Sequence, residues 1–448
     1  MPVQKEENMR KLTRYAKLLL FGLCALLFPA AVFAADGDVS AINAGDTAWV
    51  IISAALVMVM TPALGYFYGG MVRKKNVLAM IMQNFILVAL VSVLWVMFGY
   101  SMAFGPDKGG IIGNLDWSFL NKVGLLPNTD YAGTIPHQLF MVFQLMFAII
   151  TPALITGAFA DRMKFSSFLV FMALWATFVY NPVCHWVWGV GGWMRNLGVL
   201  DFAGGTVVHI NAGIAALAAV LVIGKRKGYG TTPMPPHNMT LTVLGTAFLW
   251  FGWFGFNAGS ALGANGIAVN AFVTTNTAAA AATLSWMIIE WIHRGKPTTL
   301  GVASGAVAGL VAITPAAGFV NVVGALCIGG LVSILCYTAI MLKSRLGYDD
   351  ALDVIGVHFV GGVFGALATG LFATKMVNEA GNNGLFYGNP AQFGVQAISV
   401  VVTIVYSFVV TLIILKGIDL VMGLRVDAEQ EYQGLDISQH GEEGYILE

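Results

Sequence analysis

Charge is scarce in this sequence. Only 10% of its 448 residues are Asp, Glu, Lys or Arg, against roughly a quarter in soluble domains, too few to clothe a water-facing globule of this length. The 23 basic and 23 acidic residues cancel, so the chain has no net positive charge to draw nucleic acid. Cysteine is nearly missing as well: Cys24, Cys184, Cys327 and Cys336 are scattered, with neither a disulfide framework nor a metal-like spacing. What is abundant is apolar. Hydrophobic residues make up 58% of the chain and the mean hydropathy is +0.77. The apolar runs are about twenty residues long, the length an α-helix needs to cross a hydrocarbon core of roughly 30 Å. Glycine, at 53 residues, lets such helices approach closely. The chain reads as an all-α integral membrane protein, a tight helix bundle in a lipid bilayer.

Lys5, Arg10, Lys11, Arg14 and Lys17 precede an apolar run from Leu18 to Phe33, and Val32-Phe33-Ala34 places small residues at cleavage-site positions. Residues 1–34 are therefore expected to be a cleaved signal peptide, 35–424 a transmembrane domain and 425–448 a C-terminal tail. Eleven spans are expected, at about 47–70, 77–104, 137–159, 165–189, 203–224, 239–260, 268–292, 299–317, 321–342, 353–374 and 391–423, the last a long final helix. The basic residues set the orientation, because cytoplasmic loops collect Lys and Arg. With the mature N-terminus outside, the inner side holds Arg73-Lys74-Lys75, Arg162, Lys164, Lys225-Arg226-Lys227, Arg294, Lys296, Lys343, Arg345, Lys416 and Arg425. The outer side holds only Lys108, Lys122, Arg195 and Lys375, so the C-terminus is expected in the cytosol.

Two spans share an unusual beginning. Asp201 and His209, in DFAGGTVVHINAG, are eight residues apart at the start of the fifth, and Asp350 and His358, in DALDVIGVHFVGG, are eight apart at the start of the tenth. Helices five apart in sequence cross in opposite senses, so the echo predicts two five-helix halves of inverted topology, a 5+5 inverted repeat with the eleventh helix outside it. Eight residues rise about 12 Å, which carries the two histidines toward each other near mid-membrane. Intramembrane ionisable residues are costly and mark pathways, and a matched pair favours function over packing. The aspartates themselves suit helix N-caps, with Asp350-x-x-Asp353 resembling a capping box. Glu290, four residues before Arg294, is explained by an i,i+4 ion pair at the interface. His185, beside Trp186 and Trp188, reads as an interfacial residue rather than a ligand.

Aromatics cluster toward the outer helix ends: Phe143 and Phe147 in the third span, Trp188 closing the fourth, and Trp253, Phe254 and Phe256 before Ser260 in the sixth. Most such residues form an interfacial belt. If Phe147, Trp188 and Ser260 converge, their π-faces and hydroxyl make a shallow cup for a small cation. The tail carries Asp427, Glu429, Glu431, Asp436, Glu442, Glu443 and Glu448 against Arg425, the composition of a solvated chain or a docking surface.

The stretches FYGGMVRKKN, DFAGGTVVHINAG, GWFGFNAGS, AITPAAG, DVIGVHFVGG and GLDISQHGEEGY, together with the span pattern from about residue 45 onward, resemble the Amt/MEP/Rh ammonium transporters, on the bacterial Amt side. The resemblance implies a homotrimer of eleven-helix protomers in the bacterial inner membrane, each with its own pore, and a cytosolic PII signal protein docking on the tail. It implies that Phe147, Trp188 and Ser260 form the outer ammonium site, that Phe147 and Phe256 stack as a gate, and that His209 and His358 line the pore. Asp201 becomes the vestibule carboxylate, with Trp253 and Thr314 near the conduction path. The expected function is transport without catalysis, with no metal or cofactor and with methylammonium as an analogue of the substrate. The chemistry is consistent. A bare monovalent ion pays tens of kcal/mol, in round terms, to enter an apolar medium, whereas ammonium can shed a proton, and a neutral imidazole offers the resulting ammonia one donor and one acceptor. Two other readings stay open: a membrane redox protein using His209 and His358 as axial haem ligands, and a neutral gas or water channel with no cation recruitment.

Overall fold

In the computed structural model residues 41–446 are described; the expected signal peptide, Cys24 and Glu448 lie outside them. Among the described residues ten helices are long and apolar enough to cross a membrane: α1 (Ala44–Met71), α2 (Lys74–Phe104), α3 (His137–Ile155), α4 (Phe165–Leu197), α5 (Gly205–Ile223), α6 (Met239–Ala261), α7 (Gly266–Arg294), α9 (Val322–Leu346), α10 (Ile355–Phe372) and α11 (Pro390–Met422). The eighth expected span is shorter than the others. It forms α8 (Thr299–Ile313), 15 residues and about 22 Å at the usual rise. Local chemistry sets the ends: Asn43, Asn238, Asn265, Thr298 and Asn321 each cap a helix by accepting a backbone N–H. Gly295 and Gly347 close α7 and α9 in the left-handed region. The chain is a multi-pass membrane protein.

The inverted repeat takes physical form where α5 meets α10. Each begins with a π-helical turn that carries its histidine, Gly205–Ile210 and Ile355–Phe359. They start at opposite ends of the bundle: Trp188 bonds the Asp201 carbonyl ahead of α5, while Asp349 pairs with Arg226 and Asp353 with Lys343 ahead of α10. Four residues beyond each histidine is a glycine. A Cβ on Gly213 would lie 2.4 Å from the Phe359 nitrogen, and one on Gly362 would lie 3.0 Å from both His209 Cβ and the Ile210 nitrogen. Each helix thus seats the residue at or just after the other's histidine against its own bare backbone. A second echo, not picked out in the sequence, is Thr151-Pro152-Ala153 in α3 and Thr314-Pro315-Ala316 closing α8, again five helices apart. Thr151 and Thr314 both donate to the carbonyl four residues back, at 2.6 and 2.7 Å.

Two sequence expectations are corrected by packing, and a third, the Glu290–Arg294 pair, is present but joined by a second partner. His185 is fully buried, with Nδ1 2.9 Å from the Ala103 carbonyl and Nε2 2.9 Å from Asp107 Oδ1. It pins the hairpin of β1 (Asp107–Lys108) and β2 (Ile112–Gly113) over the helix ends rather than sitting at an interface. Glu290 is buried and accepts from the Thr298 nitrogen at 2.9 Å and its hydroxyl at 3.0 Å; Arg294 stands 3.9 Å off and half exposed. Its main work is to seat the start of α8. No capping box forms at Asp350, because Asp353 turns to Lys343 and Asp350 Oδ2 takes the Ile355 nitrogen at 2.7 Å.

The tail is not loose chain. Arg425 bridges to Met163 and pairs with Glu431 at 2.7 Å, and Glu431 also accepts from the Lys227 nitrogen. A short helix, α12 (Ala428–Gln433), is followed by a turn in which Asp436 accepts from the Leu78 and Ala79 nitrogens, capping the first turns of α2 from the far end of the sequence. Burial raises the Asp436 carboxyl above the ordinary carboxylate range against these two bonds, which lower it.

Candidate functional site

At the Trp188 end, three aromatic side chains from three helices converge. Phe147 of α3 meets Phe256 of α6 with ring centroids 4.3 Å apart and planes at 32°, and Trp188 of α4 sets its edge on Phe147 at 5.8 Å. The Trp188 indole is fixed by donating to the Asp201 carbonyl at 2.8 Å and is half-buried. Ser260, also half-buried, donates to the Phe256 carbonyl at 2.8 Å, which leaves its oxygen free to accept. Phe147 is thus in contact with both Trp188 and Phe256, and Ser260 is held to the Phe256 backbone with an acceptor lone pair to spare. A π-face and a lone pair both suit a cation that carries N–H donors.

Asp201 does not open to this cup. Its two oxygens accept from the nitrogens of Gly204, Gly205, Thr206 and Val207 at 2.6–3.1 Å, and it is buried. It ends α5 on one side and holds Trp188 through its carbonyl on the other. That makes it a positioning residue shared by cup and pore.

Below Phe256 come the two histidines. His209 stacks on Trp253 at 5.5 Å and on His358 at 5.4 Å with planes within 14°, and the two Nδ1 atoms are 3.3 Å apart. Trp253 in turn donates to Thr314 Oγ1 at 2.9 Å, which fixes the indole against His209. A hydrogen bond between two Nδ1 atoms holds a single proton. When both rings are neutral, the donor ring then presents a bare Nε2 and the acceptor ring an Nε2–H. Two outward faces result, one accepting and one donating. His209 Nε2 is buried without a protein partner. Two positive rings in such contact, away from water, would combine a desolvation cost with direct repulsion.

The space beside them is small and largely walled by apolar side chains. One cavity of about 10 Å³ is lined by His209, His358, Trp253, Phe256 and the apolar side chains of Met60, Leu64, Ile150, Leu154, Val208, Leu249 and Val307. That is about the free volume one water-sized molecule needs. A second cavity of the same size continues past His358 and Val307 toward Phe67, Tyr68, Met71, Ser304, Leu352, Asp353, Val354 and Val357. These walls carry no sequence signature, since Leu, Val and Met look alike in any span. The haem reading fails here: the rings touch, leaving no iron position between their Nδ1 atoms, and no porphyrin fits a void of about 10 Å³. Among the described residues no group of three or more His, Cys, Asp or Glu could hold a metal, and Cys184, Cys327 and Cys336 are free.

Comparison with known proteins agrees with the fold and narrows the class. An ammonium transporter of Bacillus subtilis is 53% identical over 402 residues, covering 90% of this chain and 98% of that one. The crystal structure of Saccharomyces cerevisiae Mep2 superposes with a TM-score of 0.82 at 37% identity, covering 87% and 89% of the two chains. A structure titled Sensor Amt Protein gives 0.82 at 33% identity over 88% and 98%. The family profile described as Ammonium Transporter Family matches residues 48–445, and the chain belongs to that family.

Proposed function

We propose that this chain takes up ammonium by recruiting the cation at Phe147, Trp188 and Ser260, releasing its proton to water on the outer side of the Phe147–Phe256 closure, and passing ammonia along His209 and His358. The observation that carries the reading is the bonded histidine pair where two small cavities meet, each with room for one small molecule. Cation–π contacts of about 0.5–2 kcal/mol each concentrate ammonium at the mouth. The largely apolar passage beneath sets a barrier of tens of kcal/mol, in round terms, to any bare ion, and only a species that can become neutral avoids it. Ammonia donates and accepts, and the pair offers one of each.

The remaining architecture belongs to the same proposal. The signal peptide is removed after Ala34, α8 counts as an eleventh crossing, and the basic end with the tail faces the cytosol of a bacterial inner-membrane homotrimer. The tail's exposed Asp427, Glu429, Glu442 and Glu443 offer the surface for a PII signal protein, while Glu431 and Asp436 are consumed internally. The deciding experiment reconstitutes purified protein in liposomes and measures uptake under an ammonium gradient. Saturable uptake, competed by methylammonium, is expected; a flux linear in concentration and indifferent to methylammonium would instead support a neutral gas channel.

A further inference from the structure

At the basic end, between the α1–α2 connection and the docked tail, lies a cavity of about 400 Å³. Arg73, Lys74 and Lys75 line one side; Asp436, Glu443 and Tyr445 are among the residues of the other. The cations here are under-neutralised. Arg73 spends its Nε on Asp161 at 2.9 Å, but its Nη2 is buried with no partner. Lys74 is exposed and makes no hydrogen bond or ion pair among the described residues. Lys75 donates only to the carbonyls of Glu431 and Tyr432 and lies over the Tyr432 ring at 5.4 Å. Of the two carboxylates, Asp436 is turned to the Leu78 and Ala79 nitrogens, and Glu443 is exposed.

We propose that this cavity is a binding site for a phosphate-bearing anion, held by the exposed part of the Arg73 side chain and the ammoniums of Lys74 and Lys75. A guanidinium fork with two ammoniums suits a dianionic phosphate better than a single carboxylate. The volume, within the range of roughly 300–1,000 Å³ for ligand pockets, admits the phosphate with an attached group. Because loop and tail each form a wall, the bound anion ties the tail to the transmembrane body. Arg73 comes two residues after the end of α1, at headgroup level on the transmembrane reading. The phosphate can therefore come from a lipid headgroup or from a soluble compound.

The test uses the full-length protein in two arms. Inorganic pyrophosphate is titrated against delipidated protein in detergent, followed by calorimetry. In parallel, phosphatidylglycerol retention is measured in nanodiscs that mix it with phosphatidylcholine. Lys74→Gln should weaken the bound species by about tenfold, the loss of one charge-assisted contact, and Glu443→Gln should strengthen it. General disturbance of the fold would move both variants the same way. Lys296→Gln, outside the cavity, serves as the control. Bound anion should also protect the tail from limited proteolysis. Lys74-dependent pyrophosphate binding identifies a soluble ligand, and Lys74-dependent phosphatidylglycerol retention alone identifies a lipid. If neither arm responds to Lys74→Gln more than to Lys296→Gln, or if Glu443→Gln weakens binding, the site does not exist.

Discussion

Replacing His209 or His358 with Asp should turn a passage that rejects potassium into one that leaks it. The barrier to potassium on the proposed mechanism is the cavity beside the paired imidazoles, whose lining holds no carboxylate; Asp353, in the lining of the second cavity, is already paired with Lys343. A carboxylate about 4 Å from the ion would recover about 4 kcal/mol at an effective dielectric constant of 20, close to a thousandfold in ion occupancy. The shorter side chain also breaks the 3.3 Å contact between the two Nδ1 atoms and enlarges a void that holds about one small molecule, so water can accompany the charge. The alanine variants separate the two effects: they open the same space without adding charge, and should slow ammonia passage while still excluding potassium. The assay is potassium efflux from proteoliposomes for wild type and the four variants, each first shown to be folded. If the aspartate proteins are as potassium-tight as wild type, selectivity lies at the Phe147–Phe256 closure and the role given to the histidines is wrong.

Trp188→Ala should raise the half-saturating ammonium concentration by about tenfold at most, since one cation–π contact is worth about 0.5–2 kcal/mol; loss of uptake at saturating ammonium would instead mean that the indole serves conduction. Gly213→Ala should lower thermal stability by about 1–3 kcal/mol of overpacking, because its Cβ would meet the Phe359 backbone at 2.4 Å, whereas Gly330→Ala, with nothing within 4 Å, should leave the melting temperature unchanged. Truncation after Val426 should abolish PII binding and also lower the melting temperature, since Glu431 and Asp436 then no longer anchor Arg425 and α2; a truncated protein that melts and binds PII like the full chain refutes the clamp.

The histidine pair was legible because it repeats. A spacing of eight in two spans five helices apart is a pattern that survives the noise of apolar sequence, and the structure brings the two rings into contact. The cup was legible only in its members, since aromatics at helix ends populate every membrane interface. What could not be read depended on chain segments folding back. His185 looks interfacial beside two tryptophans, yet a hairpin inserted between α2 and α3 covers it. Glu290 has a basic residue four positions on, but the left-handed turn at Gly295, φ 78°, brings Thr298 to it with better geometry. The tail's composition suggested solvated chain, and nothing local shows that Asp436 reaches the start of a helix more than 350 residues earlier, at Leu78 and Ala79. The glycines four residues past each histidine were visible, but their meaning appears only once two backbones are seen to meet there.

That local device also bears on direction. The two halves deliver His209 and His358 by the same means, a π-turn to present the ring and a glycine to accept the opposing chain, so the pair is nearly two-fold symmetric in its rings. A single shared proton breaks that symmetry, and it can sit on either Nδ1. Nothing in the pair itself therefore favours one direction of passage. Asymmetry enters at the ends: π-faces and the free Ser260 acceptor stand above His209, whereas below His358 the walls are Phe67, Tyr68 and Met71, leading to the Lys343–Asp353 pair. On the proposed mechanism the cup concentrates the cation on one side only, while net flow follows the ammonium gradient and any driving force on the released proton. Exchanging cup residues should then change apparent affinity from the Trp188 side and leave the selectivity of the histidine passage untouched.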